Sequence, residues 1–292
     1  MMTSRKYLRE TPRFDRSHWP QTWTEEWRYQ VVDYFCGKGG VGRALQKWLP
    51  HWMYFGVDNE AYGDEYPGSF VQADLISPFE DDGPAHLPFE SNAIADIAWV
   101  SWPCTAYSSL SATHYGSKEA ALEANPRIPD AFREWLLDHH AHYVIENVPR
   151  ATAVGDLDAN CRVNGLAFGK PFNLTRHFET TFEVPDAYVA GDPSVAIDTR
   201  GDQSIGELAE AKDVPAEWGK QSVRSAIPWQ YVWWILGHCP SIGIPIPKTE
   251  QRSIAEWGDG VGEYLQFPDD RLGGTDVEPE DALGDGTRGV KL

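Results

Sequence analysis

The chain has 292 residues, 41% of them hydrophobic, and its 44 acidic against 25 basic residues give a net charge of −19. This length predicts one large α/β domain with room for a small second lobe. No apolar run approaches the roughly 18 residues of a membrane-spanning helix, and the polar N-terminus lacks the apolar core of a signal peptide. The four cysteines form no CxxC pair. We therefore expect a cytoplasmic protein without a zinc site, a disulfide framework or a membrane anchor.

The charge balance leaves two interpretations open. A nucleic-acid-binding protein normally presents a basic face to the phosphates, so a net charge of −19 has the wrong sign for such a partner. Alternatively, the host cytoplasm is very salty, and an acidic, hydrated surface keeps the protein soluble while salt screens the repulsion. Aspartate is abundant and lysine is scarce relative to arginine, which favours the halophilic interpretation.

The first strand signal is followed by a glycine-rich turn. After a polar and aromatic N-terminal extension over residues 1–28, a β-rich segment covers 29–35, and a helix is predicted from Arg43 to Trp48, before Pro50. Glycines in such a turn let backbone N–H groups at a helix N-terminus approach a ligand closely, although many glycine-rich turns are only tight turns. The candidate cofactor-binding residues of this turn are Phe35, Cys36, Gly37, Gly39 and Gly40.

Two further predicted strands end in acidic residues. The strand over 52–57 ends in Asp58, which lies 21 positions after Gly37. An acid placed about 20 residues after the glycine turn is suited to hydrogen-bond a ribose diol, whereas a solvated strand-end aspartate is the alternative. The strand over 69–73 ends in Asp74 and Leu75, where we expect an adenine to rest. The three strand ends together predict a pocket for an adenosine-type cofactor.

A lone cysteine follows the next apolar run. That predicted strand, within residues 94–100, leads through Pro103 to Cys104. The carboxyl edge of an open α/β sheet is where chemistry usually takes place, although a single small buried cysteine is more often structural. The Ser/Ala/Gly-rich residues 105–128 are predicted to form either a mobile lid over this cysteine or a plain loop.

A carboxylate interrupts the following apolar strand. After a predicted amphipathic helix over 130–142, the segment 143–149 carries Glu146 near its end. Burial of that charge is costly unless it is used or paired, so we predict a functional role for Glu146. The nearby cluster of His139, His140 and His142 is not predicted to bind a metal, because no helix-spaced carboxylate accompanies it.

Three segments carry a resemblance to a known family. They are Asp33-Tyr34-Phe35-Cys36-Gly37-Lys38-Gly39-Gly40, Pro103-Cys104 with Ser108, and Glu146-Asn147-Val148. In order and spacing, over about residues 30–180, they resemble the motifs of the cytosine-C5 DNA methyltransferases that use S-adenosylmethionine. The short viral and archaeal members are the most similar. The resemblance implies a Rossmann-like methyltransferase fold, with a mostly parallel sheet, helices on both faces and a small recognition lobe.

The resemblance also implies roles for individual residues. Cys104 is the nucleophile that adds to C6 of a flipped cytosine, and Glu146 binds N3 and the 4-amino group. Arg176, in a segment that resembles the family's arginine motif, orients the base or the catalytic loop. The motif's second arginine is missing here, with Phe178 nearby. Pro103 is assigned to cofactor binding. The resemblance assigns Ser108, Asn147 and Val148 to substrate binding.

The chemistry of cytosine agrees with this assignment. Its C5 is a poor nucleophile until a thiolate adds to C6, and a carboxyl group at N3 absorbs the charge that develops on the ring. The base must leave the duplex to reach such groups. We therefore expect double-stranded DNA as the partner, S-adenosylmethionine as the cofactor and a monomeric enzyme, as in restriction-modification systems.

The predicted domain organisation follows from the motifs. Residues 29–180 form the catalytic and cofactor-binding core, and 181–222 are the small target-recognition region, with 199–204 and Lys220 as candidate base or phosphate readers. Residues 223–250 return to the core. Their segment Ser225-Ala226-Ile227-Pro228, with an apolar helix over 231–236, resembles the family's last motif, which completes the cofactor pocket. The acidic, Gly/Pro-rich residues 251–292 are predicted to be largely disordered.

Three alternatives remain open at the level of sequence. The first is a cytosine-C5 methyltransferase that acts on RNA, which the compact recognition region permits. The second is a non-catalytic relative that binds nucleic acid or cofactor. The third is a cysteine hydrolase, for which His114 or His177 would have to serve as the partner of Cys104.

Overall fold

The computed structural model describes residues 30–48, 53–79, 95–193 and 204–240. The predicted N-terminal extension, the acidic tail over 251–292 and the candidate readers at 199–203 lie outside these residues. None of the helices in the described ranges is long and apolar enough to cross a membrane.

The described strands form one sheet in the order β3-β2-β1-β4-β5-β7-β6. Their bounds are β1 Gln30–Tyr34, β2 Met53–Asp58, β3 Ser69–Gln72, β4 Ile97–Val100, β5 His142–Asn147, β6 Cys161–Val163 and β7 Arg176–Thr180. The first five strands pair in parallel, whereas β7 runs antiparallel to both of its neighbours. This arrangement confirms the predicted Rossmann-like, mostly parallel α/β fold.

The helices connect the strands and cover the sheet. Their bounds are α1 Gly40–Trp48, α2 Ser109–Tyr115, α3 Lys118–Ala124, α4 Asp130–His139, α5 Pro149–Ala153, α6 Ile205–Lys212, α7 Lys220–Ser225 and α8 Trp229–Gly237. Short 3₁₀ turns cover Ser77–Phe79, Cys104–Ala106, Gly165–Phe168 and Ala216–Trp218. The predicted helices therefore exist, with α1 beginning three residues earlier than expected and α4 ending before His142, which opens β5.

Alternating strand residues divide the interior into two apolar layers. Val31 of β1 and Val144 of β5 pack in a cluster with residues of α1 and α8. Their chain neighbours Val32 and Ile145 belong to a second cluster, which includes Phe132 of α4. Because successive strand residues point to opposite faces, these two clusters lie on opposite sides of the sheet. Helices therefore pack on both faces, as predicted.

The prediction of a plain loop over 105–128 is wrong, because most of this segment is helical, and the alternative of a mobile lid remains a prediction. The side chain of Ser108 accepts the backbone N–H of Ser111 at 3.1 Å and caps α2, and Ser117 accepts that of Ala120 at 3.0 Å and caps α3. Gly116 lies between the helices with φ 83°, a conformation that favours glycine. Serines read as loop residues are in fact the N-caps of two helices.

The histidine cluster has partners within the fold. The Nδ1 atom of His140 lies 2.8 Å from the Ala95 carbonyl oxygen, and that of His142 lies 3.2 Å from the Thr181 hydroxyl. The ring of His139 stacks on Trp135. Within the described ranges, no group of three or more His, Cys, Asp or Glu side chains is arranged to hold a metal ion. These three histidines have structural contacts instead.

The region between 204 and 226 forms a small apolar cluster of its own. Its helices α6 and α7 bury Leu208, Ala209, Val223 and Ala226 around Trp218. Apolar packing of this kind makes the segment a compact addition to the sheet. The predicted boundaries of a recognition region at 181–222 remain a prediction.

Candidate active site

The sheet order creates a crevice at the carboxyl ends of the parallel strands. β1 lies between β2 and β4, so the chain leaves it first toward β3 and later toward β5. Ligands bind in α/β sheets at such a switch point. A cavity of about 600 Å³ opens there. Its lining includes these residues predicted from the sequence: Phe35, Cys36, Gly37, Gly40, Asp58, Asp74, Leu75, Pro103, Cys104, Glu146 and Arg176.

Backbone conformation explains the glycine turn after β1. Gly37 and Gly39 have φ values of 52° and 90°, which side chains rarely adopt. A Cβ atom on Gly39 would lie 2.6 Å from the ring of Pro67, so this glycine serves packing and does not line the cavity. Phe35 has φ 57°, a strained conformation for a bulky residue. That strain is stored in the wall of the cavity, which Phe35 lines.

Asp58 fastens the glycine turn to the end of β2. Its carboxylate accepts the N–H of Gly37 at 2.9 Å and the N–H of Glu60 at 3.1 Å. Burial raises the pKa of this carboxyl, while the backbone donors oppose the increase. Glu60, which the sequence analysis missed, is exposed and also lines the cavity. Its position two residues after the predicted acid was the available signal.

Asp74 has a structural role beside its predicted one. Its carboxylate accepts the N–H groups of Ile76 at 2.9 Å and Ser77 at 3.2 Å, and the hydroxyl of Ser77 at 2.5 Å. The Ser77 hydroxyl is the main cause that lowers the pKa of this aspartate. The side chain therefore caps the short 3₁₀ turn after β3, and its contact with an adenine remains a prediction.

Cys104 stands at the beginning of the 3₁₀ turn that follows β4 and Pro103. Its side chain is half-buried and lines the cavity. Burial raises the pKa of the thiol, the guanidinium of Arg176 opposes this increase, and the carboxyl of Glu146 adds to it. Burial therefore disfavours the thiolate, and Arg176 is the charge that favours it.

Glu146 and Arg176 form a buried ion pair beside the thiol. The Nε of Arg176 lies 2.6 Å from an Oε atom of Glu146, and Glu146 is 6% exposed. Burial raises the pKa of Glu146, whereas Arg176 and then Lys212 lower it. A carboxyl with a raised pKa can hold a proton that it donates to a ligand. Two neighbouring strands, β4 and β5, thus deliver a thiol and a carboxyl to one cavity.

Asn147 and Val148 take part in hydrogen bonds that hold the backbone next to the site. The amide of Asn147 donates to the Trp102 carbonyl at 2.9 Å, and its oxygen accepts the N–H of Val148 at 2.9 Å. These bonds tie the segment before Cys104 to the end of β5. Neither residue is among those that line the cavity, nor is Ser108, the cap of α2. Their predicted contact with substrate remains a prediction.

Phe178, which stands near the place of the family's second arginine, lies in the core. Phe178 is fully buried, and its ring centroid lies 5.9 Å from that of Trp99. An arginine there would meet apolar side chains and not the cavity. A different cation, Lys212, interacts electrostatically with both Glu146 and Arg176. Nothing in the sequence around Lys212 distinguished it from a surface lysine.

The wall facing the glycine turn comes from the region 216–227. Ser225, Ala226 and Ile227, which the resemblance assigned to the segment that completes the pocket, line the cavity. Other lining residues of this wall are Trp218, Gln221 and Ser222. A Cβ atom on Gly40 would lie 3.4 Å from the backbone nitrogen of Ile227. The two walls therefore approach each other closely at Gly40.

The histidines considered for a cysteine hydrolase lie elsewhere. His177 pairs through Nδ1 with the Thr152 hydroxyl at 2.9 Å, and His114 is exposed on α2. Among the residues that the structure describes, no histidine lines the cavity that contains Cys104. The geometry thus gives this alternative no general base.

The charges that line the cavity suit a cationic ligand. Asp58, Glu60 and Asp74 line the cavity, and its cations Lys38 and Arg176 are already paired, with Glu65 at 3.4 Å and with Glu146 at 2.6 Å. S-adenosylmethionine carries a sulfonium and an ammonium group, which such an acidic lining attracts. The aromatic rings of Phe35 and Trp102, 4.9 Å apart at their centroids, provide an apolar surface beside them. The residues present therefore fit this cofactor.

Comparisons with known proteins give little further information. No protein-family model matches the sequence, and no curated protein matches it. Solved structures similar to this chain include one described as the Entamoeba histolytica methyltransferase EhMeth, with a TM-score of 0.45 and 11% identity. The similarity covers 72% of this chain and 97% of that one.

Proposed function

We propose that this protein transfers a methyl group from S-adenosylmethionine to C5 of cytosine in double-stranded DNA. One observation carries the proposal: Cys104 and Glu146 line the same cavity as the glycine turn and the strand-end acids. A nucleophile and a carboxyl group for a cytosine therefore share a compartment with a site suited to a nucleoside. The volume of about 600 Å³ lies within the range of small-molecule sites.

Cys104 supplies the covalent step of this proposal. The thiol gives its proton to water, the thiolate adds to C6 of the cytosine, and C5 of the ring becomes nucleophilic. When bound, S-adenosylmethionine supplies the electrophilic methyl group that C5 takes up. The C5 proton then leaves to water and the thiolate is eliminated, so that the ring regains its double bond. Arg176, as the charge that lowers the pKa of the thiol, promotes the first of these steps.

Glu146 stabilises the charge that develops on the ring. Because burial raises its pKa, the carboxyl group takes up a proton more readily than an exposed glutamate does when cytosine binds, and shares it with N3, while its other oxygen accepts from the 4-amino group. The ion pair with Arg176 fixes its orientation. Both reacting groups lie inside the cavity, so the cytosine has to leave the duplex to reach them.

The acidic composition is part of the proposal. With a net charge of −19, binding of DNA requires that repulsion from the phosphates be screened, and molar salt reduces its range to about 3 Å. We therefore propose a halophilic cytoplasm, cellular or that of a virus's host, as the place of action. A monomer suffices for the reaction, because one chain contributes all the groups named above.

Transfer of tritiated methyl groups tests the proposal. The purified protein is incubated with labelled S-adenosylmethionine and either double-stranded DNA or tRNA, and Cys104→Ser serves as the matched control. We expect label in DNA, at the C5 position of cytosine, and none with the variant. Label in tRNA alone would favour the RNA methyltransferase, and label in neither would favour a non-catalytic relative. Bisulfite sequencing of the DNA of an expressing host then reveals the target sequence.

A further inference from the structure

Lys212 is a lysine with no exposed surface. It is the last residue of α6, and its side chain is 0% exposed, a rare situation for a charged group. Its Nζ lies 2.9 Å from the Val223 carbonyl oxygen, 2.5 Å from that of Arg224 and 2.9 Å from that of Ala226. An ammonium group has three N–H donors, whereas a neutral amine has two. The three acceptors therefore match the charged form of Lys212.

These acceptors are the carbonyls at the C-terminal end of α7. Carbonyls in the last turn of a helix have no partner within it, and a lysine ammonium is a suitable cap for them. The chain that leaves this end continues directly into the cavity wall, where Ser225, Ala226 and Ile227 lie. Lys212 thus holds the main chain that the glycine turn meets at Gly40.

The same ammonium acts on the ion pair at the cavity. Its attraction lowers the pKa of Glu146, in addition to the larger effect of Arg176. The pKa of Lys212 is in turn lowered by burial and by repulsion from Arg176. Attraction to Glu146 raises it, and repulsion from Arg224 lowers it by a smaller amount. Titratable neighbours that also face Glu146 are Cys104, from the turn after β4, and Tyr231 of α8. Lys212 is therefore the second positive charge that acts on this carboxyl group.

We propose that Lys212 is a positioning residue of the candidate site: its buried ammonium holds the main chain of 223–226 in the cavity wall and supplies a second positive charge to the Glu146–Arg176 pair. Its link to methyl transfer rests on the proposed function. The two physical effects on the wall and on Glu146 are independent of it. This cation comes from the region that sequence motifs assigned to target recognition.

Two variants separate the two effects. Lys212→Gln removes the charge and keeps N–H donors, whereas Lys212→Met removes both. Lys47→Met is the matched control, because Lys47 pairs with the neighbouring Asp213 at 2.6 Å but is 52% exposed. Carbon-13 NMR of glutamate-labelled protein, with the signal of Glu146 assigned through Glu146→Gln, measures the carboxyl titration. Calorimetry with S-adenosylmethionine measures the integrity of the wall.

We expect the pKa of Glu146 to rise by about one unit in both Lys212 variants and to stay constant in Lys47→Met. The affinity for S-adenosylmethionine should fall about tenfold in Lys212→Met and less in Lys212→Gln, since the glutamine retains donors for the α7 carbonyls. An unchanged Glu146 titration in folded Lys212→Gln would overturn the electrostatic part. Unchanged affinity in both variants would overturn the part about the wall.

One further variant keeps the test decisive if the neutral variants do not fold. Lys212→Arg retains the positive charge, so the pKa of Glu146 should stay within about 0.3 units of the wild-type value; a shift as large as one unit would contradict the proposal. Failure of the proposed function has a different signature. The wild-type protein would then neither bind S-adenosylmethionine nor methylate DNA, while the titration would still report the effect of Lys212.

Discussion

Two buried glutamate–arginine pairs have their glutamates on the neighbouring antiparallel strands β5 and β7, and they differ in how completely the carboxylates are satisfied. Glu179 receives both the Nε and an Nη of Arg133, at 2.8 and 2.9 Å, the hydroxyl of Tyr143 at 3.0 Å and the N–H of Asp158 at 2.9 Å. Within the described residues, Arg176 is the only ion-pair partner of Glu146.

The difference separates a structural carboxylate from one that is available to a ligand. Each carboxylate oxygen accepts about two hydrogen bonds, so the four donors around Glu179 leave no capacity for another partner. Glu146 retains such capacity and lines a cavity. Two largely buried pairs therefore differ in what they can do, because only Glu146 has acceptor capacity left.

The largest expected effect is a contrast between two matched variants, of which one loses activity and the other loses stability. Glu146→Gln should reduce the rate of methyl transfer by about 10²–10⁴-fold, because the amide cannot supply the proton for N3. Glu179→Gln should lower the free energy of unfolding by about 3–5 kcal/mol, because it leaves the buried Arg133 with only the exposed Asp130, at 3.3 Å, as a charged partner, while the folded molecules remain active. Methyl incorporation and chemical denaturation measure the two effects. Equal losses of activity in both variants would remove the distinction.

The arginines of the two pairs should differ in their effect on the thiol. Burial raises the pKa of Cys104 and Arg176 lowers it, so loss of Arg176 raises it further and reduces the thiolate fraction at pH 8. We expect Arg176→Met to slow alkylation of Cys104 by iodoacetamide by about tenfold per unit of pKa, and the wild-type rate to increase as pH rises. Arg133→Met should leave the rate unchanged. A faster reaction in Arg176→Met would contradict this electrostatic account.

A smaller effect tests the saturation of Glu179 itself. Tyr143→Phe removes one of the four donors to this carboxylate and preserves the ring. A neutral buried hydrogen bond usually contributes about 1 kcal/mol of net stability. Because the acceptor here is charged, the free energy of unfolding should fall by somewhat more than that. Methyl transfer should not change. Urea denaturation and tritium incorporation measure both, and a loss of activity without a loss of stability would argue against a purely structural pair.

The smallest expected effect concerns the surface and not the buried pairs. Salt screens exposed charges and leaves buried pairs almost unaffected. If the net charge of −19 is an adaptation to a salty cytoplasm, the thermal unfolding midpoint should rise steadily between low and molar KCl. The contrast between the Glu146 and Glu179 variants should persist at every concentration. An unchanged midpoint in wild-type protein would contradict the halophilic prediction.

The sequence predicted the strand-end residues well for a physical reason. Asp58, Cys104 and Glu146 each follow an apolar run, and the carboxyl ends of parallel strands meet at one edge. Local order in the chain is therefore enough to place them together. The helices α2 and α3 were missed because their serines occur equally in loops and as N-caps.

The antiparallel edge of the sheet and the buried Lys212 were much less predictable. Strands β6 and β7 have three and five residues, and the charged Arg176 and Glu179 interrupt the apolar pattern of β7. Lys212 has its role only because its amine meets three carbonyls that lie 11 to 14 positions later in the chain. Contacts of that kind depend on tertiary structure, and no local pattern encodes them.

Covalent trapping on DNA that contains 5-fluorocytosine tests the central claim most directly. Fluorine replaces the C5 proton, so the adduct between Cys104 and C6 cannot be resolved after methyl transfer. In the presence of S-adenosylmethionine, we predict a protein–DNA complex that withstands denaturing electrophoresis for the wild-type chain and for Glu179→Gln, and no complex for Cys104→Ser. No complex with folded wild-type protein, or one that persists in Cys104→Ser, would contradict the assignment of Cys104 as the nucleophile.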